Sequence, residues 1–331
     1  MHVERYVPAI RHEQRFAVSQ IGHIVQYKNR FAIVCGDDNV YTMVHDLRLP
    51  VSTGYISASL GGSKLCAKDI VITMVEDADV LDTYNKSMFQ EDRDKYLQAL
   101  AQNKYYFNGY TMTIRVGETK ASLPVNIMPD GLSPDSALYI PLRVDTYSTG
   151  ELNVEKGGVL YEVRIKNWWC IYSGTNYVSR GIRYEPIGAP LNIYTNKSLY
   201  PVGPATVRVM AGNESEKDAL GILKYNGYAM MIEISDEMSI YSIDGEEKFC
   251  SPVIIRPYAT LDVEQVTDYD PDYDPNYPNI ADGMDNDGYR TFKTFRLHYR
   301  FTESNGTAVR IKEELRLEYI EDPKDTRFLT N

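Results

Sequence analysis

Between Phe295 and Tyr319 the chain alternates apolar and polar positions almost without a break. Phe295, Leu297, Tyr299 and Phe301 stand against Arg296, His298 and Arg300. After Glu303-Ser304-Asn305-Gly306-Thr307 the alternation resumes, with Val309, Ile311, Leu315, Leu317 and Tyr319 against Arg310, Lys312, Glu314, Arg316 and Glu318. A period of two over this length predicts two half-buried strands in a long hairpin, 291–320. An Asn-Gly pair favours a two-residue turn, but that turn sets Phe301 opposite Arg310 and mixes the faces along the whole ribbon. A three-residue loop, Ser304-Asn305-Gly306, pairs Phe301 with Val309, Tyr299 with Ile311 and Phe295 with Leu315. It asks only that Gly306 take a left-handed conformation, which costs glycine little. The hydrophobic pattern outranks the turn preference, so the bulged three-residue turn is expected.

The rest of the chain predicts a mainly β protein of antiparallel sandwich or barrel domains. Short apolar runs at 31–35 and 40–44 read as a meander, and further strand-like runs lie at 105–116, 122–128 and 138–144. In the last, Pro141 suggests an edge strand. One amphipathic helix is expected at about 88–102. Ser87 and Gln90 form a capping box, Glu91 and Asp92 fill the first turn, and Met88, Phe89, Tyr96, Leu97 and Leu100 share a side. A second short helix is expected at about 216–223. Pro- and Gly-rich breaks at 128–134 and 148–158 suggest a boundary near 150. The division is then a β-rich domain 1–150 with an N-terminal arm 1–15, and a β-rich domain 151–331 holding an acidic loop and the hairpin. In the second half Val159, Tyr161, Val163 and Ile165 alternate with charged residues and lead into Trp168-Trp169. Adjacent tryptophans in a strand face opposite ways, so one can lie in the core and the other outside, as a sugar platform or a protein contact; the stronger expectation is that the next strand or a loop covers both.

Charge changes this picture in one place. The net charge is −11, and residues 262–288 hold nine carboxylates and neither lysine nor arginine. Asp268, Asp270, Asp272 and Asp274 alternate with Tyr and Pro, so the stretch is a loop. Carboxylates at every second position resemble the start of a calcium loop, which makes Asp268, Asp270, Asp272, Asp285 and Asp287 the metal candidates. Both EF-hand registers fail, however: counting from Asp268 or from Asp270, the sixth residue is not glycine and the twelfth is not glutamate. A solvated loop, a partner-binding loop and a divalent-cation site all stay open. The belt runs directly into the basic face of the hairpin, formed by Arg296, His298, Arg300, Arg310, Lys312 and Arg316. Either that face is solvated and laced with ion pairs, or it docks something acidic. The two are expected to complement each other, within one chain or between copies.

Candidate chemistry is sparse. No HExxH, GxSxG, GxGxxG or intact Walker motif is present, and Cys35, Cys66, Cys170 and Cys250 are scattered without metal-ligand spacing. The acidic balance argues against nucleic-acid specificity. No apolar run reaches the length of a membrane span, and the first residues lack the layout of a signal peptide. The expectation is a non-enzymatic protein with no cofactor. The 27 tyrosines suit wet interfaces, including sugar and protein surfaces.

Alternating strands such as 159–165 and 295–301, with Asp- and Pro-rich loops such as 268–278, resemble structural proteins of tailed-bacteriophage virions: tail, baseplate, neck or capsid accessory. The resemblance is one of texture, with no motif matched residue by residue. It implies assembly in the host cytoplasm into a virion, with other copies and other virion proteins as partners. Trp168, Trp169, Arg296, Arg300, Arg310, Lys312 and Arg316 are the expected interface residues. The alternative is a glycan- or receptor-binding module using Trp168 or Trp169. A second alternative is a carbohydrate-active enzyme, because paired carboxylates can be recognised only in three dimensions.

Overall fold

The computed structural model describes residues 30–62, 65–170, 174–212 and 224–319. The expected arm 1–15 and short helix 216–223 lie outside them. The molecule is mainly β, as the alternation predicts. Two sheets face each other in the first half. One runs in the spatial order Glu151–Leu152, Arg30–Ile33, Ser52–Leu60, Lys120–Ile127, Tyr105–Tyr106. The other runs Val40–Asp46, Gly158–Lys166, Leu138–Tyr147, Ile70–Glu76, Thr111–Ile114. Ile33, Ile56, Ile72, Ile114, Ile140 and Tyr161 fill the space between them.

The described strands between Thr175 and Tyr319 form one large antiparallel sheet. It curls until Ala229–Ile234 pairs with Glu246–Pro257, so the sheet closes on a second core around Trp169, Tyr177, Phe295 and Tyr299. At its centre is the hairpin, with strands Thr291–Thr302 and Ala308–Tyr319. Phe295 faces Leu315, Tyr299 faces Ile311 and Phe301 faces Val309. The turn closes through Glu303 N–H donating to the Thr307 carbonyl at 2.9 Å, with Gly306 at φ +84°. The register is the one demanded by the hydrophobic pattern.

Two expectations are corrected. The helix is not at 88–102 but at Ala78–Phe89 (α1). Asp77 outcompetes Ser87 as the cap: its carboxylate accepts the Asp79 N–H at 3.0 Å, while Ser87 turns back to the Tyr84 carbonyl. Val80, Leu81 and Tyr84 supply the packed side. Asn85 then bonds both backbone groups of Leu97, at 2.9 and 3.0 Å, which ties 96–98 back over the helix in place of continuing it. Pro141 is likewise not on an edge. Its strand lies between Gly158–Lys166 and Ile70–Glu76, and is tolerated because Ile70–Glu76 ends opposite Leu142. Beyond that point the Pro141 carbonyl accepts the Asp77 N–H that opens α1.

Among the described residues two histidines are buried. His45 touches Ser52 and the Tyr161 hydroxyl, and burial pushes it down to about 4. Burial, reinforced by Arg310 and Lys312, does the same to His298. Unfolded histidine titrates near 6.5, so between there and about 4 the unfolded chain binds more protons and stability falls as pH falls. Each site accounts for about 3 kcal/mol at full effect. The melting temperature is therefore expected to hold above pH 7 and to drop steadily from pH 6.5 to 4.5. His298→Gln should remove part of that slope, and a flat profile over the interval would contradict it.

Candidate functional site

The basic face and the acidic belt meet within one chain. The belt lies across the hairpin so that Asp270 pairs with Arg300, Asp272 with Arg310 at 3.4 Å and Asp274 with Lys312 at 2.8 Å. Period two in the loop thus matches rungs on the ribbon. Arg296 reaches Asp244 and Glu314, and Arg316 reaches Asp285. Burial alone raises the Asp274 and Asp285 carboxyls, but hydrogen bonds from Lys312 and from Lys248 and Thr294 hold both below the ordinary range. Asp287 accepts the N–H groups of Tyr289 and Arg290. Among the described residues no group of three His, Cys, Asp or Glu side chains gathers around a common point for a metal.

The tryptophan pair has a different setting. The strand Gly158–Lys166 ends just before it, so Trp168 and Trp169 lie in a turn and not, as expected, in a strand. Asn167 builds that turn. Its carbonyl oxygen accepts the N–H groups of Trp169 and Cys170, at 3.0 and 2.9 Å, and its amide donates to the carbonyls of Gly203 and Thr206. Trp169 drops into the core against Phe295, 4.8 Å between centroids, and its carbonyl accepts the Tyr177 hydroxyl. Trp168 stays half-buried. The Lys293 ammonium sits 3.9 Å from its ring and donates to its carbonyl, and Tyr319 packs edge-on. A Cβ on Gly283 would lie 2.8 Å from the Trp168 Nε1, so the bare backbone at 283 is what lets the indole lie where it does.

The indole lines a groove of about 580 Å³. One wall is apolar: Met238, Phe249 and Met284 are 46, 60 and 61% exposed. Ser235, Ser251, Asp236 and Asp282 add polar groups, and Arg48 enters from the first half of the chain. Asp46, almost fully buried, orients that arginine through a two-pronged bridge of 3.0 and 2.6 Å. Burial alone would raise the Asp46 carboxyl, but the Arg48 hydrogen bonds outweigh it and hold it low. Asp282 moves the other way: burial, with Asp285 nearby, raises it. An aromatic and aliphatic wall with a few convergent hydrogen-bonding groups is the usual layout of a small-molecule site. A second hollow, of about 520 Å³ beside α1, is lined by Asp37, Asp38, Asp77 and Asp79, with Tyr84 as its one aromatic residue. It lacks such a platform.

The sequence pointed to the Trp168-Trp169 pair without choosing between them, and not to the companions of Trp168. Arg48 is distant in the chain, and Phe249 carries no motif. Asp282 was visible only as one of nine belt carboxylates.

The comparisons with known proteins fit this architecture. A family model described as an N-terminal domain matches residues 27–151, and another described as a C-terminal domain matches residues 157–316. A protein of unknown function from Bacteroides ovatus is similar in structure, with a TM-score of 0.54 at 14% identity, over 91% of this chain and 97% of its own. A multidomain protein from the same organism gives 0.55 at 16% identity, over 87 and 94%. An auxiliary nutrient binding protein from Bacteroides thetaiotaomicron gives 0.52 at 14% identity, over 86 and 94%. At these identities the likeness shows a shared fold. A search of the curated proteins found no match. Together, the domain models and these bacterial neighbours overturn the reading as a phage virion component, and with it the virion localisation and the tail, baseplate, neck and capsid roles. Long alternating strands with Asp- and Pro-rich loops report a β architecture and not the particle it serves in, which is why the texture misled.

Proposed function

We propose that this chain, which carries in succession the N-terminal and C-terminal domains those models describe, binds a saccharide in the Trp168 groove without turning it over. The observation that carries the reading is the half-buried indole beside an exposed apolar wall, with Arg48, Asp236 and Asp282 converging on the same hollow. Sugars present flat C–H faces that pack on aromatic rings, and hydroxyls that bridge to carboxylates and guanidinium groups. The fold shared with an auxiliary nutrient binding protein along nearly the full length of both chains supports the reading. No helix among the described residues is long and apolar enough to cross a membrane.

A glycan array followed by calorimetry tests it. The wild-type protein is expected to bind at least one neutral oligosaccharide, and Trp168→Ala to weaken that binding about thirtyfold, the usual scale for losing an aromatic anchor of about 2 kcal/mol. Equal affinity in the two proteins would overturn the site. The raised Asp282 carboxyl favours a second reading, since a glycosidase acid needs that property. Cleavage of the bound oligosaccharide, lost in Asp282→Asn, would establish it; an intact saccharide after long incubation supports binding alone.

A further inference from the structure

We propose that the cleft bounded by Arg180, Arg290 and Arg316 is a second binding site, for an oxyanion carried on a saccharide. The saccharide part of this inference rests on the function proposed above; the oxyanion part does not. The cleft, of about 270 Å³, opens on the outer face of the C-terminal sheet. It lies where the basic ribbon continues past the acidic belt. Along the covered part, Arg300, Arg310 and Lys312 each hold a belt carboxylate, so the protein itself shows what this surface accepts.

In the cleft that complement is incomplete. The Arg316 guanidinium lies 3.7 Å over the Phe292 ring and reaches Asp285 at 3.2 Å, but Lys248 holds the same carboxylate more closely, at 2.7 Å. The Arg316 Nε is buried and has no hydrogen-bond partner. Arg180 is exposed and lies against the Tyr194 ring, 5.5 Å from its centroid. The two glutamates present are already engaged: Glu314 with Arg296 at 3.2 Å and Glu318 with Arg290 at 3.3 Å. A guanidinium presents a planar fork suited to two oxygens of one anion. Arg290 is already taken up by Glu318 and, at 3.7 Å, by Asp287, and Phe292 is buried beneath the Arg316 guanidinium. The charge offered to a carboxylate or sulfate is therefore that of Arg180 and of the Arg316 fork, with the exposed Val178 as the apolar contact for the sugar ring.

Calorimetry at low salt on wild type, Arg180→Ala and Trp168→Ala tests the assignment. The probes are an oligogalacturonate, a sulfated oligosaccharide, a neutral oligosaccharide of equal length and inorganic sulfate. Arg180 is exposed on a strand surface, so its variant is expected to fold. At least one acidic saccharide is expected to bind, tenfold or more weakly in Arg180→Ala, within twofold of wild type in Trp168→Ala, and more weakly as salt rises. Whether the carboxylate or the sulfate binds more tightly identifies which group the cleft reads. Acidic saccharides indifferent to Arg180→Ala would overturn the site, and inorganic sulfate binding as tightly as they do would overturn its saccharide specificity. Failure of the groove reading shows separately, as a neutral oligosaccharide that wild type does not bind while Arg180-dependent binding of the acidic one persists.

Discussion

Glu313→Ala is expected to destabilise the protein by about 3–5 kcal/mol, because it breaks a buried ion pair by removing one member. Glu313 is fully buried, on the inner face of the hairpin, and Lys197 reaches both its oxygens, at 2.8 and 2.6 Å. The Tyr299 hydroxyl donates to the same carboxylate at 2.7 Å and the Ser179 hydroxyl at 2.8 Å. Tyr299 in turn accepts the Gly212 N–H at 2.7 Å. Removing the carboxylate therefore takes from an ammonium and two hydroxyls the partner they share. Replacing both partners, Lys197→Met with Glu313→Leu, removes the charges as a pair and should recover much of the loss, since a buried ion pair need not outperform apolar packing. Urea unfolding of the two single variants and the double variant measures this. A Glu313→Ala loss below about 1 kcal/mol would show that the pair is solvated in a way the burial does not suggest.

Asp135→Ala is expected to cost nearly as much, by a different route. Arg208 stands on the strand Thr206–Met210 with no exposure, enclosed by Tyr225, Tyr258 and Tyr200 at 3.9, 4.8 and 5.0 Å from the ring centroids. Its partner comes from the other half of the molecule. Asp135, in the loop before Leu138–Tyr147, takes both terminal nitrogens at 2.6 Å. The tyrosine faces stabilise a cation, but a buried guanidinium still needs a counter-charge. Without Asp135 a loss of about 3 kcal/mol is expected. Because the bond joins the two halves, calorimetry is expected to show one transition in wild type and two in the variant. A single, unshifted transition would mean that the latch does not couple them.

The sequence announced the strands wherever burial was one-sided. The 295–319 ribbon, its register and its bulged turn followed from alternation, because a slip of one residue would have exposed every apolar side chain. The belt-to-ribbon pairing was foreseeable from opposite charge and a shared period of two, although the choice between one chain and two needed coordinates. Glu313 shows where reading failed. It breaks the apolar register between Ile311 and Leu315, and that interruption was the available sign of the buried ion pair. The helix was misplaced because two caps competed, and the winner was decided by Asn85 gripping the backbone of Leu97, a contact twelve residues apart. The groove was least legible: the Trp168-Trp169 pair drew notice as a pair, but the residues completing the groove come from separate strands and turns and carry no local pattern.

The most direct test of the saccharide reading is a crystal structure of the protein with an oligosaccharide that it binds in solution. A sugar ring is expected against the Trp168 indole and the Phe249 wall, with hydroxyls hydrogen-bonded to Arg48, Asp236 or Asp282. A saccharide ordered elsewhere on the molecule, with the Trp168 groove left to water, would contradict it.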